Sequence, residues 1–472
     1  MDRGEIRDLG MKPFVYMFRT ANEYYLFDVN TSSLLKITAE IYKKISSDNY
    51  VSCEDCKNLL KRGYLSPKNN SDMIIEHPAN SIVEQYLDSN VQQLILQVTQ
   101  NCNLRCKYCV YSGSYSNRVH NNKRMDLCTA LKAVDFFAEH SSMTNTANIS
   151  FYGGEPLLEI DLIKKVVEYC EYKLKGKEIR YNITSNATLL SRASIEFFQK
   201  YNFALNISLD GPRDIQNHSR VFADGEKGTF DVIMKNIRLI ENEYPTFLNN
   251  VSFNAVIDTK NDFACTSNFF TYDFFKDAVV TSTGVSDREA KGDVTLQDVF
   301  YVNYNYEVFK SFLASIGKLD GQYVSKLVKT YLNNLKSDIH DRITGNYRRS
   351  GYCHPNGPCL AGANRLFVTV DGDFYPCERV SETNNVYNIG NLESGFNVDK
   401  VKTLLNTGKI NEEECKNCWA INLCGTCAAD FGDENGLSAE KKHEKCRKAR
   451  LEVQAKLKEY CTLREYGYYF DE

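Results

Sequence analysis

The sequence predicts an α/β fold built on a partial (β/α)6 TIM-like barrel, with a small α+β unit before it and a cysteine-rich unit after it. Six short apolar runs alternate with helix-like segments between residues 92 and 285. Polar motifs follow several of these runs directly. Eleven of the 17 cysteines fall into two clusters, one near residue 105 and one between residues 353 and 446. We expect four sections, at residues 1–85, 86–285, 286–350 and 351–472.

Composition narrows the class of protein and its partners. Hydrophobic residues make up 43% and charged residues 25% of the chain, and the net charge is −4, which is ordinary for a globular protein. No large basic block points to nucleic acid. No run approaches the ~18 apolar residues of a membrane span, and the N-terminus has no apolar signal segment. We therefore expect a cytoplasmic protein with no nucleic-acid or membrane partner.

The first section predicts strands followed by short helices. Turn-forming residues, among them NTSS, separate three runs rich in aromatic and aliphatic side chains, so a hairpin is expected. The runs are FVYMFRT, EYYLFDV and SSLLKIT. TAEIYKKI and SCEDCKNLLKRG have helical character, and the second helix stops at Gly63. LSPKNNSD has the composition of a linker.

Six strand-like runs follow, with helix-like segments between them. The runs are QLILQVT, ANISFYGG, EIRYNITSN, FALNISLDG, NVSFNAVI and AVVTSTG. Asp126 can cap the helix after the first run, and the next helix has an apolar face that includes Ile163 and Val167. This alternation predicts parallel strands in a barrel, or most of one, with its chemistry at the C-terminal strand ends.

The rest of the chain predicts a helical connector and a section that folds around metal. Residues 286–350 are mostly polar with helical character. From Cys353 onward the chain is loop-rich, dense in cysteine and short of apolar runs, as in domains that metal stabilises. A cytosolic chain of this size does not need disulfides, so we expect its cysteines to bind metal.

The segment after the first barrel strand holds three cysteines, Cys102, Cys106 and Cys109, in the spacing C-x3-C-x2-C. A structural zinc site normally uses four ligands, often as two C-x2-C pairs. Three thiolates suit three irons of a cubane [4Fe–4S] cluster and leave the fourth iron open to a small molecule. A zinc loop is the alternative.

This motif, with Tyr108 before its last cysteine, closely resembles that of the radical S-adenosylmethionine (SAM) enzymes. The resemblance implies that SAM binds the open iron through its amino and carboxylate groups. Cleavage of SAM then releases a 5′-deoxyadenosyl radical, which abstracts a hydrogen atom from the substrate. In this chemistry the protein positions SAM and the substrate and excludes competing reactions. The resemblance also implies an electron donor such as flavodoxin or ferredoxin.

Motifs at later strand ends fit the same resemblance. GGEP resembles the segment that receives the SAM amino group, since glycine allows close backbone approach and the carboxylate of Glu155 suits an ammonium. Ser208 and Asp210 resemble the positions that contact the SAM carboxylate and ribose, and Arg220 could pair with the carboxylate. The SAM-binding residues that the resemblance implies are Tyr108, Gly153, Gly154, Glu155, Pro156, Ser185, Asn186, Ser208, Asp210 and Arg220.

The C-terminal cysteines form a second constellation. They are Cys353, Cys359, Cys377, Cys415, Cys418, Cys424, Cys427 and Cys446. The string C-x12-G-x4-C from Cys359, followed by C-x2-C-x5-C-x2-C and a last cysteine, resembles the SPASM extension of radical SAM enzymes. Many relatives have x3 where this chain has x2 between Cys424 and Cys427. VTVDGDFYPCE resembles the family's β-hairpin beside the first auxiliary cluster.

The SPASM resemblance implies two auxiliary [4Fe–4S] clusters, which makes three in the chain. Their implied ligands are Cys353, Cys359, Cys377 and Cys427 for the first cluster and Cys415, Cys418, Cys424 and Cys446 for the second. A pair of zinc sites is the alternative. Glu378 lies where some SPASM relatives have an acidic general base, and a carboxylate near a buried cluster could accept a proton. An exposed hairpin residue is the alternative for Glu378.

The N-terminal section resembles the PqqD-like recognition element, a small winged-helix module that binds a leader peptide as an added strand. A structural cap is the alternative. Together the resemblances imply a maturase that installs thioether crosslinks, of the sactipeptide or ranthipeptide type, in a ribosomally made, Cys-containing precursor peptide. Other hypotheses are carbon–carbon crosslinking, formylglycine-type oxidation, and a non-catalytic iron–sulfur electron carrier.

Overall fold

The computed structural model describes residues 12–68, 73–225, 227–292, 298–344, 352–355, 357–433 and 436–470. The end of the predicted linker, residues 69–72, lies outside the described residues. So do two parts of the predicted connector, residues 293–297 and 345–350.

The N-terminal unit is a three-stranded antiparallel sheet followed by two helices. Its elements are β1 (Val15–Arg19), β2 (Tyr24–Asp28), β3 (Ser33–Ile37), α1 (Ala39–Ser46) and α2 (Glu54–Lys61). Thr38 caps α1 by accepting from the Ile41 amide, and Gly63 follows α2 with φ +90°, a conformation that glycine adopts readily at a helix end. The predicted hairpin and both predicted helices are confirmed. The next elements are β4 (Ile74–Ile75) and α3 (Val83–Ser89).

Six parallel strands form the centre of the molecule and lie side by side in chain order. They are β5 (Gln93–Thr99), β6 (Thr146–Gly153), β7 (Glu178–Ser185), β8 (Ala204–Ser208), β9 (Val251–Ile257) and β10 (Val279–Gly284). The helices between them are α4 (Leu127–His140), α5 (Ile160–Lys173), α6 (Arg192–Lys200), α7 (Arg213–Ser219), α8 (Phe230–Glu243) and α9 (Phe263–Phe269). The six predicted strands are confirmed, and the curvature of a barrel stays a prediction.

The sequence periodicity explains this packing. Alternate residues of β6, among them Ile149 and Phe151, are fully buried in the core that also contains Ile163 and Val167 of α5. Asp126 caps α4 as predicted, because its carboxylate accepts from the Thr129 amide at 2.9 Å. Since all six strands are parallel, the residues that follow them meet at one edge of the sheet.

Short elements connect this sheet to the C-terminal section. They are α10 (Asp298–Ser315), α11 (Tyr331–Leu335), a π-helical turn (Lys336–His340), α12 (Asp341–Thr344) and β11 (Tyr352–Cys353). The strand β11 pairs in parallel with β4. The connector is therefore mostly helical where it is described, as predicted.

The C-terminal section extends the central sheet. β12 (Leu366–Val368) pairs in parallel with β5, and β13 (Asp373–Tyr375), β14 (Gly390–Asn391) and β15 (Gly395–Phe396) continue the sheet in antiparallel order. The β12–β13 hairpin, with Gly372 at φ +87° in its turn, is the one predicted from the sequence. Its addition to the central sheet is not predicted from the sequence.

The remaining elements are short except for the last helix. They are α13 (Val398–Leu405), α14 (Glu412–Lys416), β16 (Gly432–Asp433), β17 (Gly436–Leu437) and α15 (Ala439–Glu465). Aromatic residues of the N-terminal sheet share a core with α15. Tyr16 stacks on Trp419 with ring centroids 3.6 Å apart. Among the described residues, no helix combines the length and apolar character needed to cross a membrane.

Candidate active site

The loop after β5 brings three cysteines together, Cys102, Cys106 and Cys109. The Cys109 amide donates to the Cys106 carbonyl at 3.1 Å, and the Leu104 amide donates to the Cys102 sulfur at 3.4 Å. Burial raises the pKa of Cys102 to about 12, and the charges of Glu155, Cys106 and Cys109 add to the rise. Burial also raises the pKa of Cys106 to about 11. Thiolates are therefore disfavoured here without a cation, which a bound metal provides.

Gly153 and Gly154 let the end of β6 pack tightly against this loop. A Cβ atom at Gly153 would collide with the Thr99 carbonyl, and one at Gly154 would collide with the Asn101 carbonyl. The Gly154 amide donates to the Thr99 carbonyl at 3.0 Å. The glycine pair is thus required by contact with the chain's own backbone. The predicted contact of GGEP with SAM stays a prediction.

Glu155 links the ends of β6 and β7 through hydrogen bonds. Its buried carboxylate accepts from the Leu157 amide at 3.0 Å, the Ser185 hydroxyl at 2.7 Å and the Asn186 amide at 2.8 Å. Burial raises the pKa of Glu155, although these donors oppose the rise. The chain therefore supplies several donors to this carboxylate, which was predicted to meet an ammonium, and that ligand contact stays a prediction. Pro156 follows as the first residue of a short 3-10 helix.

Asn186 lies beside the cysteine loop. Its side-chain amide donates to Asn103 at 2.9 Å and is 4.0 Å from the Cys102 sulfur. The next residue, Ala187, has φ +59°, so the chain turns sharply where β7 ends. Asn186 is thus brought next to the loop, while Ser185 donates to Glu155. The predicted contact of both residues with SAM stays a prediction.

Asp210 and Arg220 form a buried bidentate ion pair behind the loop. Two guanidinium nitrogens of Arg220 lie 2.9 and 3.1 Å from the Asp210 oxygens, and the Tyr108 hydroxyl also donates to Asp210. Arg220 lowers the pKa of Cys106 against the larger opposing effect of burial. Ser208 ends β8 at the same edge of the sheet. Arg220 therefore has a carboxylate partner within the chain, whereas its pairing with the SAM carboxylate stays a prediction.

A second buried ion pair, which the sequence does not indicate, joins the loop region to the C-terminal section. Arg118 donates to Glu382 at 2.8 Å, and their side chains are only 8% and 6% exposed. Glu382 also accepts from Gln97 at 2.8 Å and from the Tyr111 hydroxyl at 3.1 Å. The Arg118 guanidinium lies 3.8 Å from the Tyr111 ring centroid. No local motif marks these residues, since their pairing spans 264 residues of sequence.

Glu378 lies at the inner side of this interface. Its side chain is 16% exposed and is 3.3 Å from Arg365, so it is not the exposed hairpin residue of the alternative interpretation. Its other oxygen, Oε2, is buried with no hydrogen-bond partner among the described residues. Burial raises the pKa of Tyr152, and the charges of Glu378 and Cys109 add to the rise. Tyr152 therefore lies within electrostatic reach of both Glu378 and the loop cysteines.

Three C-terminal cysteines form what we call the first thiol group: Cys359, Cys377 and Cys427. Burial raises the pKa of Cys377 to about 12, and the charges of Glu378, Cys359 and Cys427 add to the rise. Cys377 and Cys427 also lie near Arg288, which forms an ion pair of 2.7 Å with Asp430. The first thiol group thus contains three of its four predicted members.

Four further cysteines form the second thiol group: Cys415, Cys418, Cys424 and Cys446. Burial raises the pKa of Cys446 to about 11, opposed by Lys442, and the charges of the other three cysteines add to the rise. The Lys442 ammonium donates to the Cys415 sulfur at 3.1 Å. The SPASM resemblance groups the same four cysteines together, and their role as ligands of one cluster stays a prediction.

Cys353 differs from its predicted grouping. Burial raises its pKa to about 12, and the charges that add to the rise are those of Cys415 and Cys418. Its sulfur lies 3.0 Å from the Asn422 side-chain oxygen. The pairing of β11 with β4 holds this segment beside the second thiol group, which explains the difference from the sequence prediction. Its role as a ligand of the first cluster is therefore not supported by its position.

The three groups of thiols fit iron–sulfur clusters better than single metal ions. Among the described residues, no set of three or more His, Cys, Asp or Glu side chains is arranged to hold one ion. In a cubane cluster each cysteine binds a different iron, so the thiols need not converge on one point. The buried ammonium of Lys442 beside Cys415 also fits a thiolate.

Comparisons with known proteins agree with this site. Residues 96–262 match the Radical SAM superfamily, and residues 359–428 match the SPASM iron–sulfur cluster-binding domain. The chain is 27% identical over 348 residues to a cysteine-type anaerobic sulfatase-maturating enzyme of Clostridium novyi, covering 71% of this chain and 87% of that one. It is 23% identical over 425 residues to the radical SAM cyclopropyl synthase TigE of Paramaledivibacter caminithermalis, covering 86% and 83%.

A solved structure shares the fold. Native anSMEcpe with bound AdoMet is 20% identical, with a TM-score of 0.58 over 79% of this chain and 98% of that one. The chain therefore contains a radical SAM domain. Its radical SAM domain precedes a SPASM domain, and it binds [4Fe–4S] clusters and SAM.

Proposed function

We propose that this enzyme installs thioether crosslinks, from Cys sulfur to carbon, in a ribosomally made precursor peptide with a leader. The observation that carries the proposal is the first thiol group, where three described cysteines lie together and Cys353 lies elsewhere. Three protein thiolates leave one ligand position of a cubane cluster open. A Cys thiolate of the substrate fits that position, beside Glu378.

Different residues of the chain would bind the cluster and position the parts of the site. When bound, SAM and the loop cluster supply the 5′-deoxyadenosyl radical, and Cys102, Cys106 and Cys109 would hold that cluster. The buried pair of Asp210 and Arg220 fixes the wall of the site beside Cys106. The pair of Arg118 and Glu382 keeps the C-terminal hairpin against the loop region.

Glu378 is the proposed base for the substrate thiol. Its Oε1 is held by Arg365 and Arg379 at 3.3 and 3.6 Å, while Oε2 has no partner among the described residues. The thiol proton would pass to Oε2. One hydrogen atom would leave the peptide carbon for 5′-deoxyadenosine, and formation of the C–S bond would release one electron. The cysteines of the two C-terminal thiol groups would hold the iron–sulfur clusters that could accept this electron when bound. An external carrier such as flavodoxin or ferredoxin would supply the electron that cleaves SAM.

The N-terminal unit is the proposed leader-binding site. In the described part of the chain, β3 pairs only with β2, so its other edge can accept an added strand. Leu34 and Lys36 of β3 line a cavity together with Ile343 and Arg464. Side chains of a leader would enter this cavity while its backbone pairs with β3.

Hydrogen exchange tests leader binding with an internal control. A leader peptide should slow amide exchange in residues 33–37 of β3 and leave residues 15–19 of β1 unchanged. Equal protection of both strands, or of neither, would contradict strand addition at β3.

Anaerobic turnover tests the chemistry. The iron-loaded enzyme, SAM, a reductant and a Cys-rich precursor peptide should give 5′-deoxyadenosine, a peptide that has lost two hydrogens per link, and fewer thiols open to alkylation. Loss of two hydrogens with every thiol still open to alkylation would indicate carbon–carbon bond formation instead. No deoxyadenosine from fully iron-loaded protein would support the electron carrier.

The similarity to sulfatase-maturating enzymes favours a second candidate, oxidation of a Cys or Ser to formylglycine. This reaction leaves an aldehyde that reacts with hydrazide reagents, and from Cys it also removes the sulfur. A thioether product keeps the sulfur and has no aldehyde. The same peptide product therefore separates the two candidates.

A further inference from the structure

Lys442 is a buried cation whose place the proposed chemistry does not explain. It lies in the first turn of α15 and is 1% exposed. Its ammonium donates to the Thr407 carbonyl at 2.7 Å and to the Cys415 sulfur at 3.1 Å. Among the described residues, no carboxylate lies within ion-pair distance of it. A buried charge is costly without an opposite charge, and the nearest anion available is the Cys415 thiolate.

The nearest acidic side chain is turned toward another partner. Glu414 precedes Cys415 but pairs with His443 at 3.0 Å on the protein surface. Lys442 contributes less than His443 to the lowered pKa of Glu414, so this carboxylate compensates the Lys442 charge only in part, and the direct contact of Lys442 is with the second thiol group. Cys446 lies one helical turn further along α15, so the same helix carries both a predicted ligand and the cation.

The first thiol group has a different electrostatic environment. Its nearby cation, Arg288, is paired with Asp430 at 2.7 Å, and Glu378 places a carboxylate beside Cys377. Arg365, which acts on Cys359, is paired with Glu378, so Arg288 and Arg365 both have a carboxylate partner. Two cations contact the second group: Lys442 donates to the Cys415 sulfur, and Arg450 donates to Cys418.

We propose that Lys442 raises the reduction potential of the cluster held by the second thiol group above that of the first. One-electron reduction adds one negative charge to a thiolate-ligated cluster. Nearby charge and hydrogen bonds to the sulfurs set its potential. The Lys442 ammonium supplies both, and it stabilises the reduced state more than the oxidised state. An electron that reaches the C-terminal section would then reduce the cluster of the second group in preference to that of the first.

Substitution of Lys442 tests this in the full iron-loaded chain without a peptide, so the result does not depend on the proposed crosslinking. Lys442→Met should lower the midpoint potential of one C-terminal cluster, measured by an electron paramagnetic resonance titration. A tenfold change in the reduction equilibrium corresponds to about 59 mV for one electron, and we expect at least that shift. Lys442→Gln keeps an N–H donor without the charge and should give an intermediate shift.

Lys445→Met is the matched control. Lys445 lies on the same helix, but its charge is paired with Asp287 at 3.0 Å. Its substitution should leave the potential nearly unchanged. Iron and sulfide content should equal that of the native protein in all variants. An unchanged potential in Lys442→Met, an equal shift in Lys445→Met, or loss of iron from both Lys442 variants would overturn the proposal.

Discussion

The parallel sheet and the C-terminal section position their cysteines by different means. The loop cysteines follow β5, a strand whose residues Leu94 and Leu96 are fully buried in the largest core. Hydrogen bonds from neighbouring strand ends then fix the loop. The C-terminal thiols instead lie mostly in loops and short elements, such as Cys415 on α14 of five residues, and only Cys446 lies on the long helix α15.

This difference suggests two sources of stability, which are packing of the polypeptide in the sheet region and metal binding around the C-terminal thiols. Apolar burial and backbone hydrogen bonds hold the loop region without any ligand. Elements of two to five residues bury too little apolar surface to be stable alone. We therefore expect the short segments that carry the thiol groups to gain much of their cohesion from bound clusters, as small metal domains do.

Loss of one loop cysteine should have the largest effect. Cys106→Ala removes one iron ligand, and we expect SAM cleavage to fall below detection because the cluster that delivers the electron is lost. The production of 5′-deoxyadenosine, measured with excess reductant, checks this. Cleavage at the native rate would show that Cys106 is not a ligand.

Cys418→Ala is the matching change in the C-terminal section. SAM cleavage should continue, because Cys418 belongs to the second thiol group and the loop region contacts the C-terminal section through Glu382 instead, while the crosslinked peptide product is lost. Separate assays of deoxyadenosine and of peptide mass check both parts. If cleavage also disappears, the two regions are not independent and the comparison fails.

Iron removal should affect the two regions unequally. Chelation of iron under reducing conditions should speed amide exchange about tenfold or more in residues 412–433, because their cohesion comes from metal. Residues 146–153 of β6 should keep their protection. Equal loss of protection in both regions would show that the sheet also depends on the clusters.

Sequence patterns predicted the sheet well for a physical reason. Its strands and helices repeat with fixed periods, and parallel strands carry their following residues to one edge. Asn186 was therefore predicted at the same edge of the sheet as the cysteine loop, because it follows a parallel strand. The hydrogen-bond partners of Glu155 could not be predicted, since they depend on how two strand ends meet in space.

The C-terminal section was predicted less completely because cysteine spacing does not encode position. Cys353 matched the spacing of the first group, yet the pairing of β11 with β4 places it beside the second. Arg118 and Glu382 gave no signal, because two residues 264 positions apart share no local pattern. Lys442 could not be singled out from the sequence, because a lysine on a polar helix is usually exposed and its burial is seen only in the structure.

A buried ion pair should matter more than an exposed one within the sheet region. Asp210→Asn leaves Arg220 buried without its counter-charge, and loss of one partner from such a pair costs about 3–5 kcal/mol. Urea unfolding of the iron-free protein, followed by circular dichroism, should show this loss. The control Asp231→Asn breaks the exposed pair with Arg213 and should cost less than about 1 kcal/mol. Similar costs for both variants would contradict the buried pairing.

The smallest expected effect compares one helix cap from each region. Asp126 caps α4, and Ser438 caps α15 by accepting from the Lys441 amide at 3.3 Å. Substitution of either cap by Ala should cost about 1 kcal/mol of folding free energy near neutral pH.

Hydrogen bonds from Thr129 lower the pKa of Asp126, so its cap stabilises the protein above the unfolded-state pKa of about 3.9. That contribution is lost as the pH falls through the lower folded-state pKa. The cost of Asp126→Ala should therefore shrink in acid, whereas that of Ser438→Ala should not change with pH in this way, because a serine hydroxyl does not titrate there. Urea unfolding of both variants between about pH 3 and 7 checks this, and a cost of Asp126→Ala that stays constant over this range would show that the charge of Asp126 does not contribute to its cap.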